Sequence, residues 1–196
     1  AYNYLEKPIK SDDLVALVDA SLDMWLTSGR FSKNFEAEIP KWFGRKVSAL
    51  FVNSGSSANL VAISSLLAPM MEKVGKLRLR PGDEVITVAA GFPTTVNPIF
   101  QTGLKPVFVD VDFNTLDATL ELVQGGFQKG KTKAVVLAHT LGNPYRADLL
   151  ANWCASEGLY LVEDCCDALG AEINAGVDRA YAGSFGDFST LSFYPA

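Results

Sequence analysis

The chain is poor in the residues that build metal sites and disulfide frameworks. Its 196 residues include one histidine, His139, and three cysteines, of which Cys165 and Cys166 are adjacent. A single histidine excludes histidine-rich metal sites and leaves a Ser-His-Asp triad only one residue to use. An odd cysteine count, with two neighbours that cannot easily bridge each other, argues against a disulfide framework. No N-x-Ser/Thr sequon occurs. Apolar runs stay short of the roughly 18 residues of a membrane span. The opening AYNYLEKPIKSDD has no signal-peptide profile. Basic residues are also scarce: 17 Lys and Arg stand against 22 Asp and Glu, a net charge of −5. That balance excludes a general nucleic-acid binder. Any anionic ligand must be held locally, by backbone amides or a helix end. The expectation is a cytoplasmic protein with neither nucleic acid nor membrane as partner.

What is present is a folding composition, 48% hydrophobic and only 20% charged, enough for one domain or part of a larger one. The first 45 residues read as two helices. Leu14, Val15, Leu17, Val18, Leu22, Trp25 and Leu26 recur at helical spacing behind the candidate caps Ser11 and Asp12. A second helix is expected from about Ser32 to Phe43, with Gly29 before it and Gly44 ending it. From residue 47 short apolar runs alternate with helix-like stretches. VSALFV (47–52), EVITVA (84–89), PVFVDV (106–111), AVVLAH (134–139) and LYLVED (159–164) are candidate strands. Helices are expected near 56–68, 93–102, 117–124 and 147–157, with Asp117 as an N-cap and Pro93 in a first turn. Continuous apolar strands separated by helices predict a buried, mostly parallel sheet in an α/β fold. ALGAEI and FGDFSTLSF, with no helix between them, predict a mixed edge or hairpin. The chain stops at Tyr194-Pro195-Ala196, directly after a strand-like run, so a fragment of a larger protein is the expectation.

Several segments carry possible chemistry. Asn53-Ser54-Gly55-Ser56-Ser57-Ala58-Asn59 is expected to leave a strand and open a helix. Gly55 lets backbone approach a ligand, and the amides and hydroxyls of Ser56 and Ser57 at a helix start suit a phosphate. A plain serine-capped helix is the alternative. GGFQKGKT (125–132) matches the pattern G-x-x-x-x-G-K-[ST] in full, but a P-loop follows a strand and opens a helix. Here a helix precedes and a strand follows, so a polar surface loop is expected. Glu163 and Asp164 end the strand LYLVED, where α/β sheets place ligand groups. An acid there suits a cation, a metal, a protonated ring nitrogen or a local salt bridge. Cys165 and Cys166 read as small apolar fillers. Phe92, in Gly91-Phe92-Pro93, is a ring-stacking or core residue. His139 is a ligand contact or a capped polar group. Phosphate loop, aromatic and acid all fall at the carboxyl ends of successive candidate strands. That set resembles a pyridoxal phosphate site, which needs a phosphate cradle, a stacking partner and a carboxylate facing the pyridine nitrogen. The Schiff-base lysine is missing.

NSGSSAN, RPGDEVITVAAGFPTT, PVFVDVD, HTLGNP, VEDCCDALGA and GSFGDFSTLSFYPA occur in this order across nearly all of residues 20–196. Together they resemble the DegT/DnrJ/EryC1/StrS family of sugar aminotransferases. The resemblance implies the large domain of fold-type I pyridoxal-phosphate enzymes, a three-layer sandwich cut before its small domain, in a homodimer. It implies a helical segment over 1–45 and a cofactor-binding domain over 46–196. Gly55, Ser56, Ser57 and Ser192 would then serve the cofactor phosphate, Phe92 its ring face and Asp164 its ring nitrogen. Asp167 stands near the cofactor's 3-hydroxyl where the family usually has Gln, a departure from ordinary transamination. AAGFPTTVNP, CCDALG and SFYPA resemble the family's sugar 3-dehydrase branch. That branch works with pyridoxamine phosphate, a histidine base that would follow Ala196, a [2Fe–2S] cluster and a flavin/iron–sulfur reductase. It removes the C3 hydroxyl of a 4-keto-6-deoxyhexose, with CDP-4-keto-6-deoxyglucose as the expected nucleotide sugar, in lipopolysaccharide and O-antigen synthesis. Cys166 is the expected cluster ligand, and no catalytic base lies within the chain. A sugar 4-aminotransferase of the same fold, with lysine after Ala196, and a non-catalytic fragment are the alternatives.

Overall fold

The computed structural model describes residues 10–43, 47–175 and 179–194. The chain divides into two compact units between Phe51 and Val52.

The first unit holds α1 (Ser11–Leu22) and α2 (Arg30–Phe43). The caps differ from expectation. Lys10, not Ser11 or Asp12, is the N-cap of α1, and its amide donates to the Asp13 carboxylate at 2.7 Å. Ser11 and Asp12 lie inside the first turn, where acidic charge suits the positive end of the helix. The second helix begins at Arg30, two residues before Ser32. Arg30 pairs with both Asp19 and Asp23, at 2.7 and 2.8 Å. Neither helix buries a residue, and Leu14, Val15, Leu17, Val18 and Leu22 are all exposed. Gly44, expected to end α2, lies outside the described residues.

In the second unit five strands form one parallel sheet. They are β1 (Glu84–Val88), β2 (Lys105–Val109), β3 (Thr132–Ala138), β4 (Tyr160–Asp164) and β7 (Phe188–Thr190), in the order β2-β1-β3-β4-β7. A separate antiparallel hairpin, β5 (Glu172–Asn174) with β6 (Arg179–Tyr181), stands between β4 and β7 in sequence. The helices are α3 (Gly55–Leu66), the short α4 (Met70–Lys73), α5 (Pro93–Gln101), α6 (Leu120–Gly126) and α7 (Ala147–Glu157). Successive strand residues point to opposite faces, and both faces are apolar. Val85, Val136 and Val162 pack with Ile63 and Leu66 of α3 and Ile99 of α5. Ile86, Val135, Leu137 and Leu161 pack on the other side with Val123 of α6 and Leu150 and Cys154 of α7. This is the expected three-layer α/β sandwich.

Three sequence expectations here need correction. VSALFV is not a strand: residues 47–52 pair with no strand among the described residues. Leu50 and Phe51 are exposed, so its apolar pattern buries nothing of the kind a central strand needs. Asp117 does not cap α6. Thr119 does, accepting the Leu122 amide at 3.3 Å, because α6 starts only at Leu120. Asp117 is buried instead, and its carboxylate takes the Thr140 amide at 3.1 Å. Burial pushes its pKa up. FGDFSTLSF is not half of a hairpin: its strand, β7, joins β4 in parallel at the sheet edge, while the hairpin lies wholly within 172–181. GGFQKGKT behaves as its context required. Gly125 and Gly126 finish α6, and β3 begins at Thr132, directly after Lys131.

Candidate functional site

The carboxyl end of β4 collects most of the residues singled out from the sequence. Asp164 is its last residue and is buried at 4% exposure. Its side chain faces the α3 and α5 layer. Asn59 of α3 donates its amide to Asp164 Oδ2 at 2.8 Å, and the Thr95 hydroxyl of α5 donates to the same oxygen at 2.6 Å. Oδ1 accepts the Cys166 amide at 3.1 Å. The Thr190 hydroxyl lies 3.4 Å from Oδ1 but donates more closely to Asn59 Oδ1, at 2.6 Å. A carboxylate oxygen offers about two acceptor positions. Oδ2 is filled by two short bonds, and Oδ1 retains capacity for one more strong donor.

The helix start stands beside this acid. Ser54 is the N-cap of α3, in extended conformation, and its hydroxyl oxygen accepts the Ser57 amide at 3.1 Å. The capped-helix alternative is therefore present, though no strand precedes it. Ser56 is exposed and Ser57 half-buried in the first turn. Gly55 is buried, and the space for a side chain there is already taken. A Cβ would lie 2.7 Å from Cys166 Sγ and 3.0 Å from Ser192 Cβ. Only glycine lets α3 begin this close to the strand ends. Gly55, Cys166 and Ser192, from three separate segments, thus meet at one point.

Phe92 is the N-cap of α5 and is 66% exposed; Pro93 opens the helix, as expected. Asp167 is exposed, and its main-chain carbonyl would sit 2.8 Å from a Cβ on Gly142. Asn59, Thr95 and Thr190 were missed by sequence reasoning. The available signal was Asn59, a polar residue on the stripe Gly55-Asn59-Ala62-Ile63-Leu66 that α3 buries. A buried amide needs a partner, and Asp164 is that partner.

Glu163 and His139 lie on the opposite face, both fully buried, with His139 Nε2 3.1 Å from Glu163 Oε2. Among the described residues the grouping of three metal-capable side chains is His139, Glu163 and Cys165. Cys166 is not part of it. All three cysteines are free thiols. Burial pushes Cys154 up to about 12, and pushes Cys165 and Cys166 up as well, with Asp164 adding to the effect at Cys166. Thiolates are the reactive form. The folded chain should therefore label slowly with iodoacetamide at neutral pH, with half-buried Cys166 first and Cys154 and Cys165 only on unfolding. Rapid labelling of all three, read by peptide mass spectrometry, would contradict this packing.

Residues 8–196 match the DegT/DnrJ/EryC1/StrS aminotransferase family. The chain is 50% identical over 188 residues to a dTDP-4-dehydro-2,6-dideoxy-D-glucose 3-dehydratase of Saccharopolyspora spinosa, covering 96% of this chain and 39% of that protein. It is 47% identical to lipopolysaccharide biosynthesis protein RfbH of Salmonella typhimurium, covering 97% and 41%. The structure of an E. coli GDP-4-keto-6-deoxy-D-mannose-3-dehydratase with bound hydrated PLP superposes with a TM-score of 0.80 at 33% identity, over 92% of this chain and 43% of that one. The chain thus spans about two-fifths of the length of the relatives it matches. With the family's match running through both units, the chain belongs to the DegT/DnrJ/EryC1/StrS aminotransferase family.

Proposed function

We propose that this chain carries the cofactor site of a coenzyme B6-dependent nucleotide-sugar 3-dehydratase. The observation that carries the reading is Asp164: a buried carboxylate at a strand end, held by three donors, with one oxygen still able to take a strong donor. A protonated pyridine nitrogen is such a donor, and the resulting charge-assisted bond is the strong kind. Ser56 and Ser57 at the start of α3 would hold the phosphate through main-chain amides, hydroxyls and the helix dipole. Ser192 would reach the same group from the β7 side. Phe92, largely exposed at the start of α5, would cover the ring face. Asp167 would stand near the 3-hydroxyl. Bound there, pyridoxamine phosphate would supply an amine, and its ring an electron sink, for loss of the sugar's C3 hydroxyl. The chain's own contribution would be to orient the ring, keep its nitrogen protonated and hold its phosphate.

Identity to the 3-dehydratase relative, 50%, exceeds that to a dTDP-4-dehydro-2,3,6-trideoxy-D-glucose 4-aminotransferase of the same organism, 32%, which supports the dehydratase over the aminotransferase. The substrate class would be a nucleotide-linked 4-keto-6-deoxyhexose such as CDP-4-keto-6-deoxyglucose, the assembly a homodimer, and the electron donor a flavin/iron–sulfur reductase. Cys166 would be one ligand of a [2Fe–2S] cluster. The described residues offer a single thiol on that side, since Cys165 faces the other layer, and one cysteine does not hold such a cluster.

Titration with pyridoxal phosphate, followed by its visible absorption, tests the reading. Uptake should be saturable, and Gly55→Ala should weaken it by about tenfold or more, because the new methyl group must displace Cys166 or Ser192 from the phosphate end. No saturable uptake, or an unaffected Gly55→Ala variant, would remove the assignment.

A further inference from the structure

We propose that Glu163, backed by His139, is a positioning residue for the site on the other side of the sheet: it fixes the turn 183–186 and, through it, Thr190 and Ser192. The proposal rests on the cofactor reading above. Glu163 is completely buried, and an unpaired carboxylate there would be expensive. It is instead fully occupied. Oε1 accepts the amides of Phe185 and Gly186, at 2.8 and 2.5 Å, and Oε2 accepts the amide of Gly183 at 2.9 Å and faces His139 Nε2 at 3.1 Å. Four partners use the roughly four acceptor positions of a carboxylate. That occupancy leaves the Glu163 carboxylate no acceptor position for a metal ion within the His139, Glu163 and Cys165 grouping. The His139 ring is in turn stacked on Tyr145, with centroids 4.0 Å apart and planes 8° from parallel.

The turn is shaped for this carboxylate. Gly183 has φ +88°, and a Cβ there would come within 3.0 Å of Cys165 Sγ. A Cβ on Gly186 would lie 2.7 Å from the Leu161 carbonyl oxygen. Asp187 closes the turn onto β4 twice: its amide donates to the Leu161 carbonyl at 2.8 Å, and its carboxylate accepts the Leu161 amide at 3.0 Å. From there only Phe188 and Ser189 precede Thr190, the last residue of β7, whose hydroxyl holds Asn59; Ser192, two residues on, abuts Gly55. Adjacent strand residues point to opposite faces. Glu163 therefore anchors one end of the segment whose other end completes the Asp164 site.

Glu163→Gln replaces one acceptor oxygen by a donor and cannot accept from all three amides. In this variant, hydrogen exchange at Gly183, Phe185 and Gly186 should accelerate, and the amide resonances of Asn59 and Thr190 should move. Affinity for pyridoxal phosphate should fall about tenfold or more. The absorption band at saturating pyridoxal phosphate should also shift, which a general loss of stability would not produce. Asp164→Asn, measured in parallel, should weaken the same ligand while leaving those three amides protected. Retained protection in Glu163→Gln, or wild-type affinity and spectrum despite lost protection, overturns the proposal. Should that variant not fold, Gly183→Ala displaces the turn with the carboxylate intact and is judged by the same readouts. If the wild type takes up no pyridoxal phosphate, the cofactor reading fails, and the Asn59 and Thr190 resonances alone decide the positioning claim.

Discussion

Asp164→Asn should reduce turnover of the active protein by about 100-fold or more, the scale on which loss of one preorganised electrostatic partner acts. The fold should persist. An asparagine can keep its oxygen toward Asn59 and Thr95, which already fill Oδ2. Its NH2 then occupies the Oδ1 position, where the proposed partner is a ring N–H. A donor faces a donor, and the negative charge that would keep the ring nitrogen protonated is gone. Steady-state turnover and a thermal melt on the same preparation check the result. Near-normal turnover would show that this residue is not the ring partner. A collapsed melt would show that its main task is to hold α3 and α5.

The second large effect is structural. Leu161→Ala should cost about 2–5 kcal/mol and lower Tm by the order of 10 °C. Leu161 is 1% exposed at the centre of the core formed with α6 and α7. Its main chain also carries both Asp187 contacts. Domains hold only about 5–15 kcal/mol in reserve, so the loss is a large fraction. Denaturant unfolding of the two proteins measures it, and a difference below about 1 kcal/mol would mean that the neighbours collapse into the space.

Much of this was readable because buried parallel strands announce themselves. EVITV, AVVLA and YLVED are apolar on both faces, and the helices between them have clear starts, as at Pro93. The end of β4 then located Asp164, and the serine–glycine run 54–57 located the α3 start, without any knowledge of contacts. VSALFV misled because an apolar run records a propensity to be buried, and whether a partner strand lies alongside is a tertiary matter. Thr119 and Asp117 are two residues apart and both suited to cap a helix, so the helix start was ambiguous by two residues. The Glu163 cluster was out of reach. Its donors are main-chain amides twenty and more residues downstream, and amides carry no sequence signature.

The two carboxylates of β4 make this strand intolerant of a kind of change that substitutions do not probe. Glu163 and Asp164 are consecutive, so a single-residue insertion or deletion within β4 would turn each toward the layer that the other now serves. The acid that should meet a ligand would lie under the 183–186 turn, and the acid that should grip the turn would face Asn59 and Thr95. The loops on either side of β4 can vary in length over evolution or in a designed variant. The parity of the strand between them cannot, because it fixes which of the two acids meets Asn59 and Thr95 and which meets the 183–186 turn.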